Sequence, residues 1–168
     1  MHTGTVQPPS IPEERALAAV AGSGIAFRVV RHGRVGSLAE AAQARGVEPR
    51  DVIKTIVVRK AEDDYLLVLV PGDRTISWPK LRSLLGVSRL SMPDAATAKD
   101  VTGFERGTIT PFGTVTALSV IADERMTGRE VSLGAGAHGV TIIVDADAAL
   151  AALDAVIADV TEPEDTRE

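Results

Sequence analysis

Short apolar runs alternate along this chain with stretches whose apolar residues recur at helical spacing. The runs are rich in valine, isoleucine and leucine and are bounded by glycine, proline or acidic residues, which is typical of strands. They predict strands at residues 26–31, 52–58, 65–70, 115–121, 130–133 and 140–144. An acidic link at residues 61–64 separates the second run from the third and indicates a hairpin.

Capping signals predict the helices between these strands. Ser10 precedes a proline and two glutamates, and Ser37 is followed three residues later by Glu40, which forms a capping box. Ser77 and Ser91 each precede a proline by two residues, as at a helix start. Glycines end four of these segments. The predicted helices cover residues 10–20, 37–46, 77–86, 91–103 and 147–158.

Strands and helices are mixed without the regular strand–helix–strand order of a parallel sheet. The pattern therefore predicts an α+β fold with a largely antiparallel or mixed sheet. A chain of 168 residues is long enough for one compact domain with a substantial core. We expect a flexible N-terminus at residues 1–10, the domain at residues 11–160 and a frayed acidic tail at residues 161–168.

Composition excludes several classes of protein. Apolar residues make up 45% of the chain, which indicates a globular protein. Five aromatic residues are too few to suggest a base-stacking platform for single-stranded nucleic acid. Cysteine is absent, which excludes thiol nucleophiles, disulfides and cysteine-based zinc sites. The sequence shows neither a signal peptide nor an apolar run of about 20 residues, so we expect a cytoplasmic protein with no membrane partner.

Charge is unevenly distributed along the chain. The net charge is −5, yet residues 28–106 contain 14 lysines and arginines against 10 acidic residues. These cations are either ordinary solvated surface or a basic face that meets phosphate. The second interpretation predicts that Arg31, Arg34, Arg50 and Lys54 lie on the side where a binding pocket opens.

The common sequence motifs for cofactor, metal and nucleophile sites do not identify a site in this chain. Residues 134–139, GAGAHG, match a dinucleotide-binding pattern, but a strand follows them where that motif must open a helix. They predict a glycine-rich hairpin turn. The three histidines lack the spacing of metal ligands on one element, and no serine occupies a G-x-S-x-G elbow. We therefore expect no metal site and no cofactor.

Lys54 lies in the apolar segment VIKTIVV at residues 52–58. Alternate residues of a strand share a face, so Lys54 lies on the same side as Val52, Ile56 and Val58. A lysine in an apolar row is unfavourable without a partner. It is either an edge lysine whose amine reaches solvent or a cation held at a pocket mouth to bind an anion.

A second unusual segment is RGTITPFGTV at residues 106–115, where Gly107, Pro111 and Gly113 interrupt β-prone residues. It is either a rigid turn or a loop whose backbone approaches a ligand, since glycine lacks a side chain and proline fixes φ.

Four segments of the chain occur in this order: Lys54-Thr55, Thr102-Gly103, residues 107–113 and the hairpin at 134–139. Through them the chain resembles the YbaK/EbsC family of aminoacyl-tRNA deacylases, which is related to the editing domain of bacterial prolyl-tRNA synthetases. The resemblance covers residues 11–158. It implies a compact α+β domain around a mixed, barrel-like sheet. It also implies that Lys54 holds the 3′-terminal nucleotide and that Gly107 lies near the scissile ester. The other substrate-binding residues it implies are His32, Thr102, Gly103, Thr110, Pro111, Gly113, Gly136 and His138.

The function implied by the resemblance is that of a free-standing trans-editing hydrolase. Its substrate would be a mischarged aminoacyl-tRNA of the Cys-tRNA(Pro) or Ala-tRNA(Pro) type, bound through its 3′ end and hydrolysed with help from a substrate hydroxyl or thiol. An aminoacyl-tRNA synthetase is a possible partner. The alternative is a binding module that keeps the pocket without turnover. The amino acid, the tRNA and the oligomeric state stay open.

Overall fold

The computed structural model of the chain describes residues 10–164. Five helices and nine strands follow one another along this part of the chain. The helices are α1 (Ile11–Gly22), α2 (Leu38–Arg45), α3 (Trp78–Leu85), α4 (Ala95–Thr102) and α5 (Ala146–Ala152). The strands are β1 (Phe27–Arg31), β2 (Lys54–Ala61), β3 (Asp64–Val70), β4 (Arg74–Ile76), β5 (Ser119–Asp123), β6 (Glu130–Gly134), β7 (Val140–Asp145), β8 (Val156–Ala158) and β9 (Thr161–Pro163).

The strands form three sheets. One is antiparallel, with the order β1-β7-β6, and a two-stranded sheet pairs β4 with β9. The third has the order β2-β3-β5-β8; its first pair is antiparallel and the other two pairs are parallel. The predicted mixed α+β domain is thus confirmed. The barrel-like sheet needs correction, because within residues 10–164 the strands do not close into a barrel. Between the two larger sheets, the Ile53 N–H donates to the Ser132 carbonyl at 2.9 Å.

The core has two parts because the β2–β3 hairpin is covered on both faces. On one face, Val57, Leu67 and Leu69 pack with residues of β6, β7, α1 and α5. On the other face, Val58, Val68 and Val70 pack against Leu81 of α3 and its neighbours. Lys54 shares the second face with Ile56 and Val58, as the alternation predicted.

The predicted caps position most helices. The Ser10, Ser37 and Ser77 hydroxyls accept from backbone N–H groups in the first turns of α1, α2 and α3. Helix α4 starts later than predicted. Its cap is Asp94, because Ser91 instead exchanges two backbone hydrogen bonds with Arg59 of β2.

Two predicted elements near the C-terminal half have different bounds. The strand predicted at 115–121 starts only at Ser119, because the Val115 N–H donates to Thr102 O and that segment crosses the end of α4 as a loop. The helix predicted at 147–158 ends at Ala152. Asp154 then adopts a positive φ of 52°, and Val156–Ala158 turns into β8 to pair with β5.

The acidic tail also needs correction. We expected it to be frayed from residue 161, but Thr161–Pro163 forms β9 and pairs with Arg74–Ile76. The buried Asp123 carboxylate holds this strand, since it accepts from the Val160 N–H at 3.2 Å and from the Thr161 hydroxyl at 2.9 Å. The expected flexible segment at residues 1–9 lies outside the described residues, and Ser10 is the cap of α1.

Candidate active site

Two cavities meet at Gly107, which lines both of them. The larger, about 540 Å³, is called the histidine cavity; its other lining residues are His32, Gly33, Arg34, Val35, Arg45, His138 and Gly139. The smaller, about 190 Å³, is called the strand cavity; its other lining residues are Thr55, Ile56, Val57, Met92, Pro93, Ala95, Ala98, Arg106 and Ile109. Three predicted site residues, Gly107, His32 and His138, therefore converge.

Backbone contacts at the end of β1 position His32 in the histidine cavity. Its N–H donates to the Gly139 carbonyl at 2.9 Å, which ties β1 to the β6–β7 hairpin. The ring Nδ1 lies 2.8 Å from the Gly33 carbonyl, and the Arg45 Nε lies 3.4 Å from the ring Nε2. Both contacts are satisfied by a neutral imidazole that carries its proton on Nδ1 and accepts from arginine on Nε2.

Arg45, the last residue of α2, brings a positive charge to this cavity. Its Nη1 lies 3.3 Å from the Ser132 hydroxyl, and it forms no salt bridge with a carboxylate among residues 10–164. Burial lowers the pKa of the Arg45 guanidinium, but an arginine side chain stays protonated in proteins. The histidine cavity thus contains a half-buried cation with spare N–H donors.

Gly107 occupies the turn between α4 and the buried segment 108–112. Its φ is +88°, a conformation that favours glycine, and the residue is exposed. A Cβ added there would lie 3.4 Å from the Cε1 of His138. Its N–H donates to no backbone group among the described residues. Gly107 is therefore a turn residue and also presents free backbone to both cavities.

The predicted residues Thr102, Gly103, Gly113 and Gly136 support this loop and line neither cavity. Arg15 of α1 donates to the Gly113 carbonyl at 2.6 Å and to the Gly103 carbonyl at 2.8 Å. A Cβ added at Gly113 or Gly136 would lie 2.7 Å from a carbonyl oxygen of α1. The Thr102 hydroxyl is buried and donates to Ala98 O at 2.7 Å. These residues hold the loop and the hairpin against α1.

Thr110 and Pro111 are buried behind Gly107. The Phe112 N–H donates to the Thr110 hydroxyl at 3.4 Å, and Phe112 itself packs in the first core cluster. Neither Thr110 nor Pro111 lines a cavity. Their positions fix the path of the chain just after Gly107.

Lys54 lies at the start of β2, and its ammonium donates to the Arg74 carbonyl at 2.5 Å. Its side chain is on the face of β2 opposite that of Thr55, and it does not line either cavity. The structure thus brings the neighbouring Thr55, rather than Lys54 itself, to the cavity beside Gly107.

The predicted basic face is not a single cluster. Of its four members, Arg34 lines the histidine cavity, whereas Arg31 pairs with Glu13 at 2.6 Å and Arg50 donates to Arg125 O at 3.1 Å. A different basic surface is present. It is a groove of about 600 Å³ whose lining contains four cations and no acidic residue, and we call it the basic groove: Arg59, Lys60, Ala61, Arg82, Ser88, Arg89, Leu90 and Ser91. Ser91 leads directly into Met92 and Pro93 of the strand cavity.

A model of the family described as "Aminoacyl-tRNA editing domain" matches residues 32–151, which include both cavities' central residues. The chain belongs to this family. The resemblance stated from the sequence is confirmed, and at the level of the family so is the predicted enzyme class, aminoacyl-tRNA deacylase.

Relatives of this editing domain are found both as separate proteins and within synthetases. The chain is 26% identical over 140 residues to the "Multifunctional Ser/Thr-tRNA deacylase ProXp-y" of Escherichia coli K12, covering 80% of this chain and 84% of that protein. It is 37% identical over 84 residues to a proline–tRNA ligase of Desulforamulus reducens. That match covers 50% of this chain and 14% of the ligase.

The fold also matches a solved structure, that of a candidate trans-editing enzyme for prolyl tRNA synthetase. The TM-score is 0.84 at 28% sequence identity, and the match covers 92% of this chain and 99% of the other. The arrangement of helices and sheets described above is therefore that of the editing domain.

Sequence reasoning did not single out most of the residues that line the editing domain's cavities, among them Arg45 and Thr55. Arg45 is a basic residue in the last turn of an alanine-rich helix, an ordinary place for a cation, so nothing in the sequence distinguished it. Thr55 was noted only as part of the Lys54-Thr55 pair. Alternation along β2 was the available signal, since it places Thr55 on the face opposite Lys54.

Within residues 10–164, no group of three or more histidine, aspartate or glutamate side chains is arranged to hold a metal ion. None of the described helices has the length and apolar character needed to cross a bilayer.

Proposed function

We propose that this editing domain hydrolyses the ester of mischarged aminoacyl-tRNA as a free-standing protein. The observation that carries the proposal is the position of Gly107, whose exposed backbone lies where the two cavities meet. The ester of an aminoacyl-tRNA joins two parts of different chemistry, a nucleoside and an amino acid. In the proposal the nucleoside occupies the strand cavity, the aminoacyl group occupies the histidine cavity, and the ester lies at Gly107.

The chemistry proposed at Gly107 is stabilisation of the charge that develops on the ester carbonyl oxygen. The Gly107 N–H donates to no described backbone group, so it is free to donate to that oxygen. The Arg45 guanidinium in the adjoining cavity adds positive charge in a partly desolvated place. Water attacks the carbonyl carbon, assisted by a hydroxyl or thiol of the substrate. The bond between that carbon and the ribose oxygen breaks, the proton lost by the water passes to the ribose oxygen, and the free amino acid and the deacylated tRNA leave. Positioning supplies much of the acceleration.

Lys54 is proposed to contact a phosphate of the 3′-terminal nucleotide. An ammonium has three N–H donors, and the bond to the Arg74 carbonyl uses one of them, which leaves two for a phosphate that approaches along β2. His32 and His138 are proposed to contact the aminoacyl group in the histidine cavity. The remaining predicted residues are proposed to affect substrate binding indirectly, by holding the Gly107 loop and the β6–β7 hairpin in place. They are Thr102, Gly103, Thr110, Pro111, Gly113 and Gly136.

The proposed substrates are small aminoacyl groups of the Cys-tRNA(Pro) or Ala-tRNA(Pro) type. Ser-tRNA and Thr-tRNA join them as candidates because of the name of the E. coli relative. The likeness to proline–tRNA ligases supports a synthetase as the proposed partner and the compartment of translation, the cytoplasm, as the proposed location. The alternative proposal is a binding module for tRNA 3′ ends, nucleotides or a synthetase.

A panel of mischarged tRNAs tests the proposal. We expect loss of ester from at least one of the Cys-, Ala-, Ser- and Thr-charged tRNAs. The measurement is the release of radiolabelled amino acid over time. Lys54→Ala should lower the rate roughly ten- to a hundredfold, because a charge-assisted contact to phosphate is lost. Lys54→Arg keeps the charge and is the matched control. A panel with no ester loss would contradict the enzyme and favour the binding module.

A further inference from the structure

The outer edge of β2 is open inside the strand cavity. On this edge Arg59 exchanges both of its backbone hydrogen bonds with Ser91, at 2.7 and 3.1 Å, and the Ile53 N–H donates to Ser132 O. In an antiparallel strand, successive residues direct their backbone groups to opposite sides, so every second residue faces the same edge. The N–H and C=O groups of Thr55 and Val57 therefore face this outer edge as well.

No other described strand covers that edge between the two contact points. Strand β2 is the terminal strand of its sheet and pairs only with β3. Thr55 and Val57 both line the strand cavity, and no described backbone group bonds to their outward N–H or C=O. The cavity thus has one wall with a free acceptor, the Thr55 carbonyl, followed two residues later by a free donor, the Val57 N–H.

A buried side-chain hydroxyl adds to this wall. The Thr55 Oγ1 is buried and has no hydrogen-bond partner among residues 10–164, and it is the single buried side-chain atom of that kind there. A buried polar group without a partner is destabilising and needs a reason. A ligand with polar atoms in the strand cavity would supply the missing partner.

The other walls are mostly apolar, with one cation, Arg106, next to Gly107. Ile109, Met92, Pro93 and Ala98 face the β2 edge across a volume of about 190 Å³. Apolar walls beside one edge that offers both a donor and an acceptor suit a planar heteroaromatic ring, which packs through its faces and forms hydrogen bonds at its rim.

We propose that the strand cavity binds the adenine base of a nucleotide and that the open edge of β2 recognises it. The Thr55 carbonyl accepts from the adenine N6 amino group, the Val57 N–H donates to N1, and the Thr55 hydroxyl donates to another acceptor of the nucleoside. This inference rests on the proposed function, in which the nucleotide is the 3′-terminal adenosine of tRNA. It assigns the part of the site that distinguishes that adenosine from other bases.

Binding of two nucleotides that differ only at this rim tests the inference. Adenosine and inosine 5′-monophosphate are titrated into the full chain by calorimetry at millimolar concentrations. Inosine carries a donor at N1 and an acceptor at position 6, which opposes both backbone groups, so we expect it to bind at least roughly tenfold more weakly. The Val57 amide signal should move on addition of the adenine nucleotide in an NMR titration. Equal affinities, no binding, or a Val57 signal that does not move would each overturn the inference.

Thr55 supplies a variant pair whose two readouts should change in opposite directions. Thr55→Val has the same shape without the hydroxyl; it should bind the adenine nucleotide roughly three- to tenfold more weakly while its melting temperature stays the same or rises, because an unpaired buried group is removed. Thr55→Ser keeps the hydroxyl and should keep most of the affinity. If Thr55→Val binds as tightly as the original protein, or if it unfolds at lower temperature, the role given to this hydroxyl is wrong.

Failure of this inference differs from failure of the proposed function. Ester hydrolysis on the tRNA panel without any preference for adenine over inosine would overturn the base assignment alone. A clear preference for adenine with no hydrolysis of any mischarged tRNA would keep the base site and remove the enzyme.

Discussion

At the scale of single residues, Gly107 has two roles that the sequence presented as alternatives. Its φ of +88° makes it a turn glycine, and its position where the cavities meet makes its backbone available to a ligand. The two roles are compatible because the side that a Cβ would occupy is only loosely filled, with the nearest atom of His138 at 3.4 Å.

Gly107→Ala should lower both stability and activity, for separate reasons. A residue with a Cβ in this conformation costs about 1–2 kcal/mol of unfolding free energy, and the methyl group would stand between the ester and the cavity. Gly24→Ala is the matched control, since Gly24 has a φ of +81° and nothing within 4 Å of an added Cβ. Both variants should melt at similarly reduced temperatures, but only Gly107→Ala should lose deacylation. Equal rates in the two variants would place the ester elsewhere.

At the scale of elements, α4 determines where the Gly107 loop starts. The helix is held at its beginning by the Asp94 carboxylate, which accepts from the Thr97 N–H at 2.8 Å, and it ends at Gly103, whose carbonyl binds Arg15 of α1. Short helices depend strongly on such caps because they have few internal hydrogen bonds.

Asp94 should make the stability of α4 depend on pH. The hydrogen bond from the Thr97 backbone lowers the pKa of Asp94 below its ordinary value of 3.8. Because the pKa is lower in the folded state, the stabilisation is present above that ordinary value and is lost as pH falls through the folded value. Asp94→Ala should therefore melt at a lower temperature than the original protein at neutral pH, and the gap should shrink below pH 3.8. Asp94→Asn keeps a capping oxygen that does not titrate, so its difference from Asp94→Ala should change little with pH. A gap for Asp94→Ala that is constant with pH would contradict this role.

At the scale of the whole molecule, the basic groove is a strongly cationic surface on a protein whose net charge is negative. The chain has a net charge of −5, but the basic groove contains four cations and no acidic side chain in its lining, and it opens next to the strand cavity. Phosphates of the tRNA strand that leads to the 3′ end would find favourable charge there and unfavourable charge over much of the remaining surface.

Replacing Arg82 and Arg89 of the basic groove together by alanine should weaken tRNA binding and also make it less dependent on salt. Each contact to a phosphate of a single strand contributes about 0.7 to the slope of log affinity against log salt, so the loss of two contacts should reduce the slope by about 1.4. Filter binding at several salt concentrations measures this slope. Arg28→Ala is the control, since Arg28 pairs with Glu130 at 3.5 Å and lies outside the groove. An unchanged slope in the double variant would show that RNA binds on another surface.

Local chemistry made much of this fold predictable from the sequence. Features that depend on residues close together in the chain were predicted correctly. They are the serine caps of α1, α2 and α3, the hairpin between β2 and β3, the side on which Lys54 lies and the turn at 134–139. Strands β4, β8 and β9 were missed for the opposite reason. Each has three residues, and each exists because a distant strand offers it backbone partners: β5 pairs with β8, and β4 and β9 pair with each other.

The sequence by itself determined the order of the longer elements, the family and the glycine at the centre of the candidate site. Only the tertiary structure decided what each polar residue contacts, because those contacts join segments far apart in the chain. It placed Gly103, Gly113 and Gly136 against α1, bound the Lys54 ammonium to Arg74, and brought Arg45 beside His32. The open edge of β2 is likewise a property of the assembled sheets, since a strand's sequence does not specify which of its edges stays unpaired.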